Sequence, residues 1–432
     1  MTKKLCVISL GCPKNTVDSE KIIGILGQAG YEISLIPEES DFVIVNTCAF
    51  INPAIDEARQ VISFLKDRKR EYEFKLIVTG CLPARDHDRL LKDRDIDGVI
   101  GPYSIARLPE IFSEIESGKR IYTLTDVGIH QYCRLPRAVS TFPYAYIKIA
   151  EGCNNRCSYC TIPIIRGPLY SFFEKDILKE AESLFASGVK ELIIVGHDIT
   201  AYGKDRGEHS LCKLLRSLLK IGFPWIRLMY LHPSGISQKL LELMNSHSQI
   251  CKYLDIPLQH INPEILKKMN RPVKDYRKLI EDIRRTIPNI ALRTTLIVGF
   301  PGETEGMFQE LLDFVREMRF EKLGAFIYYP ENGTPASLMP GQIPYERKKE
   351  RYQRLMKVQK KISKDIALSF QGKTVEVLIE KKEEKYLLGR TRRDAPDIDW
   401  TVKVYGRAKL GDIVNVRITK SSFYSLEGMI SE

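Results

Sequence analysis

Three cysteines with a distinctive spacing, Cys153, Cys157 and Cys160, are the residues that most directly indicate chemistry. They follow an apolar run, Ala145–Ala150, that alternates like a β-strand. A short C-x3-C-x2-C loop can wrap one face of a [4Fe–4S] cube, whose usual ligands are cysteine thiolates. No other cysteine or histidine lies nearby in the sequence, so one iron would stay open to a substrate or cofactor. A structural zinc site normally has four protein ligands; zinc and plain reduced thiols are the alternatives that the spacing disfavours.

A second set of cysteines follows predicted strands in the first part of the chain. Segments 4–10, 42–46 and 76–79 are predicted as buried strands that alternate with helices, which is typical of a parallel sheet with helices on both faces. Cys12, Cys48 and Cys81 each come just after one of these strands. The carboxyl ends of such strands share one edge, where ligands bind. We therefore expect a second three-thiolate site, although each cysteine taken singly is more often a buried structural residue.

The composition of the chain limits the kinds of protein that it can be. The chain has 432 residues, ten cysteines and a net charge of +11. No apolar run approaches the roughly 18 residues that a membrane span needs. The first apolar run is followed at once by Gly11 and Pro13, which predicts a first strand and not a signal peptide. We expect a cytoplasmic protein without membrane contact, whose cysteines are reduced or metal-bound.

The elements that must position these cysteines form an α/β protein with three parts. Residues 1–125 are predicted as an open parallel α/β domain and 126–143, which lack periodicity, as a linker. Residues 144–368 contain six strand–helix units, a partial (β/α)6 barrel whose chemistry belongs at the carboxyl ends of its strands. Its strands are predicted at 146–150, 191–195, 226–230, 253–256, 292–298 and 323–328. Residues 371–432 alternate in short runs, which predicts a small antiparallel β-barrel of a kind that usually binds a macromolecule.

The C-x3-C-x2-C loop resembles the signature of the radical S-adenosylmethionine (SAM) enzymes. In that family the open iron chelates SAM, and an electron from the cluster releases a 5′-deoxyadenosyl radical. The resemblance implies SAM contacts from the loops at one mouth of the barrel, and the candidates are Tyr159, Gly196, His197, Asp198, Arg293, Gly299 and Glu303. Each has a structural alternative: the glycines permit tight turns, the polar residues cap helices or pair with neighbours, and the tyrosine packs on the core.

With all three parts placed, the chain resembles the methylthiotransferases along essentially its whole length. These carry an amino-terminal domain with three cluster cysteines, a radical SAM barrel and a carboxy-terminal TRAM domain. The stretch Ser9–Asn15 (SLGCPKN) is similar to the RimO-type enzymes, which modify a ribosomal protein, as is Asp394–Asp399 (DAPDID). Asp394, Asp397 and Asp399 would form an acidic loop that docks a basic ribosomal partner; an ordinary solvated turn is the alternative.

The resemblance implies a substrate and a mechanism. Two [4Fe–4S] clusters and SAM would add a methylthio group to the β-carbon of an aspartate in small-subunit ribosomal protein twelve, free or in the subunit. The cluster on Cys153, Cys157 and Cys160 would cleave SAM, and the cluster on Cys12, Cys48 and Cys81 would supply sulfur. A second SAM would then methylate that sulfur. An electron donor such as a flavodoxin or ferredoxin is expected, and no general acid or base is assigned.

Two other functions remain open at this point. A tRNA methylthiotransferase acting on a modified adenosine would need a basic carboxy-terminal domain and salt-sensitive binding. Residues 371–432, however, carry twelve lysines and arginines against ten acidic residues, which disfavours tRNA. A non-catalytic iron–sulfur scaffold or electron-transfer protein would leave the barrel loops unexplained.

The chain departs from the family pattern in three places. Tyr170-Ser171-Phe172 stands where an Arg-Ser-Arg run is usual, His197 where glutamine is common, and Trp400 where glycine is usual. None is a predicted cluster ligand, so the chemistry should survive; the details of SAM binding and of target docking are what these departures affect.

Overall fold

The computed structural model describes residues 2–124, 129–139 and 142–431. The amino-terminal region is a parallel sheet flanked by helices. Its strands are β1 (Lys4–Ser9), β2 (Glu32–Ser34), β3 (Phe42–Thr47), β4 (Lys75–Gly80), β5 (Gly98–Ile100) and β6 (Ile121–Thr123). Its helices are α1 (Pro13–Gln28), α2 (Asn52–Lys69), α3 (His87–Lys92) and α4 (Leu108–Glu116). The six strands are in the order β2-β1-β3-β4-β5-β6.

Strand β3 explains why this sheet carries helices on both faces. All six of its residues are buried. Phe42 and Ile44 belong to the core on one face, with α1 and α4, whereas Val43 and Val45 belong to the core on the other face, with α2. Side chains alternate across a strand, so a continuously apolar strand needs cover on both sides. The short strands β2, β5 and β6 were not predicted from the sequence.

The central region is an open barrel of parallel strands with helices outside. Its strands are β7 (Tyr144–Lys148), β8 (Ala150–Glu151), β9 (Tyr170–Ser171), β10 (Glu191–Val195), β11 (Trp225–Leu228), β12 (Tyr253–Asp255), β13 (Ala291–Val298) and β14 (Lys322–Ile327). Its helices are α5 (Ile162–Arg166), α6 (Glu174–Ala186), α7 (Leu211–Leu219), α8 (Gln238–Ser246), α9 (Pro263–Lys268), α10 (Tyr276–Thr286), α11 (Glu305–Met318) and α12 (Tyr345–Leu368).

The six barrel strands form two parallel three-stranded sheets, β11-β10-β7 and β12-β13-β14. A parallel bridge between Ile226 and Ile250 links the two sheets next to β12. The remaining strands, β8 and β9, form a separate antiparallel pair. The predicted partial (β/α)6 barrel is confirmed, and each predicted strand lies within two residues of its observed bounds.

The carboxy-terminal region is a closed five-stranded barrel. Its strands are β15 (Thr374–Lys382), β16 (Leu387–Thr391), β17 (Thr401–Tyr405), β18 (Ile413–Ser421) and β19 (Ser425–Ile430). The predicted small antiparallel barrel is confirmed at four of its five neighbouring pairs, and the fifth pair, β17 and β19, runs parallel. An odd number of strands cannot alternate in direction all the way round a closed ring, so one neighbouring pair must be parallel.

The segment predicted as a linker, 126–143, lies partly outside the described residues. Within it, Ile129–Arg134 forms a 3-10 helix. Tyr132 is buried and its hydroxyl donates a hydrogen bond to Asp18 of α1. Arg137 pairs with Glu20 of α1 and, at 2.9 Å, with Glu180 of α6. The described part of this segment therefore packs between the amino-terminal sheet and the barrel. No helix in the described ranges is long and apolar enough to cross a membrane.

Candidate active site between the amino-terminal sheet and the barrel

The first set of cysteines lies at one edge of the amino-terminal sheet. Cys12, Cys48 and Cys81 follow the carboxyl ends of β1, β3 and β4, which are adjacent and parallel. Burial, together with the neighbouring thiols of Cys81 and Cys12, raises the pKa of Cys48 to about 12. Because cluster ligands bind as thiolates, loading of a metal here must displace protons.

Asn15 links these strand ends through hydrogen bonds. It was not identified as a site residue from the sequence. Its side-chain amide donates to the backbone oxygens of Leu10 (2.9 Å) and Thr47 (2.8 Å). Its side-chain oxygen accepts a hydrogen bond from Arg166 of the barrel at 3.1 Å. The β1, β3 and barrel elements are thus joined beside the cysteines through one buried amide.

The second set of cysteines forms a loop at the carboxyl-terminal mouth of the barrel. Cys153, Cys157 and Cys160 follow β7 and β8, and burial raises the pKa of Cys160 to about 12, with Cys157 and Cys153 adding to the shift. No three Cys, His, Asp or Glu side chains within the described ranges converge as a site for a single metal ion. A [4Fe–4S] cube does not require such convergence, because its thiolates bind different irons.

Contacts from other barrel loops fix the conformation of this loop. Asn155 donates a hydrogen bond to the Asp198 carboxylate at 2.8 Å. Ser158 donates from its backbone to Met269 (3.0 Å) and from its hydroxyl to Lys268 (2.7 Å). The buried Arg271 guanidinium lies 3.8 Å from the Cys157 sulfur. These contacts fix the loop, and among them Arg271 alone contacts a thiol, that of Cys157.

A buried network of charges joins the two cysteine sites. Arg166 donates to Asp18 at 3.1 Å and lies 3.4 Å from the Cys81 sulfur. Lys148 pairs with Asp18 at 2.6 Å and also with Glu151, two residues before Cys153. Burial acts to raise the pKa of Glu151, but Lys148 and Arg166 outweigh it and hold that pKa well below the ordinary value. Charges drawn from both domains therefore neutralise one another at their contact.

Tyr159, Gly196, His197 and Asp198 lie at this mouth of the barrel. Tyr159 packs in a small apolar cluster with Phe300 and Tyr328. His197 Nε2 is 3.7 Å from Glu151, and burial lowers its pKa to about 4, so its ring is neutral at pH 7. Asp198 accepts hydrogen bonds from the backbone and hydroxyl of Thr200, so it caps the 3-10 turn that follows as well as holding Asn155. Both functional and structural interpretations of these residues fit this placement.

Gly299 and Glu303 form a tight turn after β13. Gly299 has φ +76°, and a Cβ there would lie 2.4 Å from Lys348 Cγ. Its backbone N–H donates to Glu303 at 2.9 Å, while Glu303 pairs with the buried Arg351 at 2.7 Å. Burial raises the pKa of Glu303 to about 7, against the opposing effect of Arg351. The close approach of Lys348 explains why residue 299 is a glycine, and the ion pair with Arg351 explains the buried carboxylate of Glu303.

Arg293 and the predicted acidic loop lie at the other end of the barrel. Arg293 pairs with Asp255 at 3.0 Å and with Asp399 at 3.7 Å. Asp394 pairs with Lys322, the first residue of β14, at 2.5 Å. The hydroxyl of Tyr253, the first residue of β12, donates to Asp399 at 2.8 Å. The expectation of three exposed docking aspartates is therefore corrected: Asp394 and Asp399 seal the amino-terminal end of the barrel.

The remaining members of that region explain two departures from the family pattern. Asp397 is exposed. Trp400 is buried and its ring lies 3.3 Å from the Lys322 ammonium. At the opposite end, Ser171 of β9 donates to Asp205 at 2.5 Å and Phe172 stacks on Tyr132 at 5.4 Å. The residues that differ from the family pattern therefore stabilise the fold of this chain through packing and hydrogen bonds.

An open parallel barrel with a three-cysteine loop at its carboxyl-terminal mouth defines the radical SAM class of protein. Residues 147–315 match the radical SAM superfamily, residues 4–101 match the family described as uncharacterized protein family UPF0004, and residues 372–430 match the TRAM domain. The fold resembles TsrM, a radical SAM methyltransferase of Kitasatospora setae solved with cobalamin and a [4Fe-4S] cluster. The TM-score is 0.58, with 16% identity over 78% of this chain and 77% of that chain.

Curated relatives narrow the class to one family. The chain is 46% identical to the ribosomal protein uS12 methylthiotransferase RimO of Carboxydothermus hydrogenoformans, over 98% of this chain and 99% of that protein. It is 43% identical to the protein of the same name from Clostridioides difficile, over 98% of each chain. The chain belongs to the RimO family of radical SAM methylthiotransferases. The sequence-based recognition of that family is confirmed.

Proposed function

We propose that this chain adds a methylthio group to the β-carbon of an aspartate in ribosomal protein uS12. Family membership supports the reaction. The observation that carries it for this chain is that one buried residue, Arg166, contacts the Cys81 sulfur and also faces Glu151, two residues before Cys153. A reaction that draws sulfur from one cysteine set and a radical from the other requires both sets to face one substrate.

We propose two [4Fe–4S] clusters, one held by Cys12, Cys48 and Cys81 and the other by Cys153, Cys157 and Cys160. Each set offers three thiols, one set at the edge of the amino-terminal sheet and the other in a loop at the barrel mouth, which fits a cluster with one open iron. When bound, these clusters and SAM supply the hydrogen abstraction, the sulfur and the methyl group. The chain contributes the geometry: Asp198 and Arg271 fix one cysteine loop, and Asn15 and Arg166 fix the other.

SAM-binding residues belong to this proposal as well. Tyr159, Gly196, His197, Asp198 and Gly299 follow the strand ends that surround the second cysteine set and remain our candidates. Arg293 and Glu303 were predicted with them, but both side chains form ion pairs within the chain. We therefore propose a structural role for these two residues before a role in SAM binding. A neutral His197 could accept or donate one hydrogen bond without placing a charge beside the sulfonium.

The charge of the carboxy-terminal barrel favours a protein substrate over tRNA. Residues 371–432 carry nearly balanced charge, twelve basic against ten acidic residues, whereas phosphate binding depends on lysines and arginines in excess. Asp397 remains as an exposed carboxylate for a basic partner. The proposal includes a cytoplasmic setting and a small electron donor such as a flavodoxin or ferredoxin.

The substrate is tested by mass spectrometry after an anaerobic reaction. Cluster-loaded enzyme, SAM and a reductant are mixed with free uS12, small ribosomal subunits and bulk tRNA in separate tubes and together. We expect one methylthio group on an aspartate of uS12, and comparison of the tubes identifies the free or assembled form as the substrate. Modification of a tRNA adenosine instead would refute the substrate and leave the two clusters standing.

The division of labour is tested by replacing each cysteine set with alanine. Without Cys12, Cys48 and Cys81, SAM cleavage to deoxyadenosine should continue while sulfur transfer stops. Without Cys153, Cys157 and Cys160, both should stop. Alanine at Cys6, Cys212 and Cys251, which have no assigned role, is the matched control and should keep both. Loss of deoxyadenosine from a folded variant of the first set would contradict separate roles.

A further inference from the structure

Lys14 is a buried cation without an acceptor. It lies two residues after Cys12 in the first turn of α1, and only 7% of it is exposed. Its ammonium lies over the ring of Tyr230, 3.6 Å from the centroid. Within the part of the chain that the structure describes, no hydrogen bond or ion pair reaches that ammonium. A cation–π contact stabilises a buried ammonium by roughly 0.5–2 kcal/mol, which replaces only part of the stabilisation that a hydrogen-bonded carboxylate would provide.

The other two buried lysines at this domain contact have carboxylate partners. Lys21, two turns along the same helix, pairs with Glu180 at 3.2 Å, and Lys148 pairs with Asp18 at 2.6 Å. Burial of an unpaired charge costs several kcal/mol. A lysine kept unpaired among paired ones indicates that its partner arrives from outside the chain.

Tyr230 places that lysine at the barrel mouth. Tyr230 follows β11 and has φ +62°, a left-handed conformation that is costly for a tyrosine. Two backbone hydrogen bonds hold it there: its N–H donates to Asp255 at 3.0 Å, and its oxygen accepts from Ile199 at 3.2 Å. The strained turn aims the ring at Lys14. The ammonium thus lies where the edge of the amino-terminal sheet meets the radical SAM barrel.

We propose that Lys14 binds the side-chain carboxylate of the substrate aspartate. This inference rests on the proposed function and names its recognition element. The β-carbon of aspartate is bonded directly to that carboxylate, so a cation that holds the carboxylate fixes the reacting carbon one bond away. Lys14 lies two residues after Cys12, and its ammonium lies over the ring of Tyr230 at the barrel mouth. The same charge selects aspartate over asparagine, because a neutral amide cannot compensate a buried ammonium.

The test compares intact uS12 carrying aspartate or asparagine at the modified position. Binding to the cluster-loaded enzyme is measured for wild type, Lys14→Met, Lys14→Arg and the control Lys21→Met. Wild type should bind the aspartate form about tenfold or more tightly, as expected for one charge-assisted hydrogen bond. Lys14→Met should bind both forms equally, at the wild-type affinity for asparagine, and Lys14→Arg should keep part of the preference.

The control separates recognition from folding. Lys21→Met removes one of the two buried cations that pair with Glu180, the other being Arg137, and should unfold at lower urea concentration while keeping the full aspartate preference. Lys14→Met removes an unpaired charge and should not lower the urea midpoint. An unchanged preference in Lys14→Met, or loss of cluster iron from that variant, would overturn the inference. If the wild-type enzyme adds no methylthio group to uS12 in the mass-spectrometric assay, the proposed function itself has failed.

Discussion

Arg166 offers the most direct test of how the two domains are joined. It is 3% exposed, and its guanidinium donates to Asp18 and Asn15 while facing the Cys81 sulfur at 3.4 Å. Arg166→Met keeps an unbranched apolar side chain and removes the guanidinium fork and its charge. Loss of one partner from a buried ion pair costs about 3–5 kcal/mol. Lys148 still faces Asp18 at 2.6 Å, so we expect the lower end, about 3 kcal/mol.

The assay combines stability with a property of the cluster that we propose at Cys12, Cys48 and Cys81. Urea unfolding followed at the domain contact gives the loss of stability. Redox titration is then performed in a background that lacks Cys153, Cys157 and Cys160, so that only one cluster is observed. The midpoint potential should fall in Arg166→Met, because a positive charge and a hydrogen bond to a ligand sulfur both favour the reduced cluster.

The matched control is Arg137→Met. Arg137 also bridges the domains in buried pairs, with Glu20 and Glu180, but it does not contact a cysteine. This variant should lose a similar amount of stability without a change in potential. Unaltered stability in Arg166→Met would refute the buried ion pair, and an unaltered potential would refute the placement of Arg166 beside the cluster.

Three further predictions concern other parts of the fold. Acidification from pH 7.5 to 5.0 should destabilise wild type by about 2 kcal/mol more than it destabilises His260→Gln. The reason is that burial lowers the pKa of His260 to about 3 in the folded protein. The neutral ring therefore contributes its full stability above the pKa of the unfolded state, and this stability is lost as the pH falls. Urea midpoints at both pH values measure this, and parallel curves would contradict it. Gly152→Ala should lose iron from the adjacent cysteine loop, because φ is +66° and the Cβ would lie 1.9 Å from a backbone oxygen; Gly188→Ala, with φ +94° and open space, is the control for iron analysis. Asp394→Asn should expose the carboxy-terminal barrel to protease by leaving Lys322 unpaired, and adding Lys322→Met should restore resistance.

Local pattern was sufficient to predict most of the fold and the positions of the cysteines within it. The C-x3-C-x2-C spacing is contained in eight residues, and strands such as β10 (Glu191–Val195) were located by their apolar runs. Cys12, Cys48 and Cys81 were grouped only because adjacent parallel strands end at a common edge. That inference is topological, and it needed no side-chain geometry. The short, half-exposed strand β2 carries too few apolar residues to be recognised this way.

The tertiary structure alone decided which charges meet. Arg166 and Asp18 are 148 positions apart, and nothing in either local sequence marks them as partners. The Asp394–Asp399 stretch was predicted to dock a basic partner because it is acidic, yet Lys322 and Arg293 neutralise two of its aspartates inside an interface. Hydrophobic periodicity reports which residues are buried, whereas the pairing of polar residues depends on the relative positions of domains. The sequence therefore predicted where the cysteines lie in the fold, and the packing of domains determined which charged residues surround them.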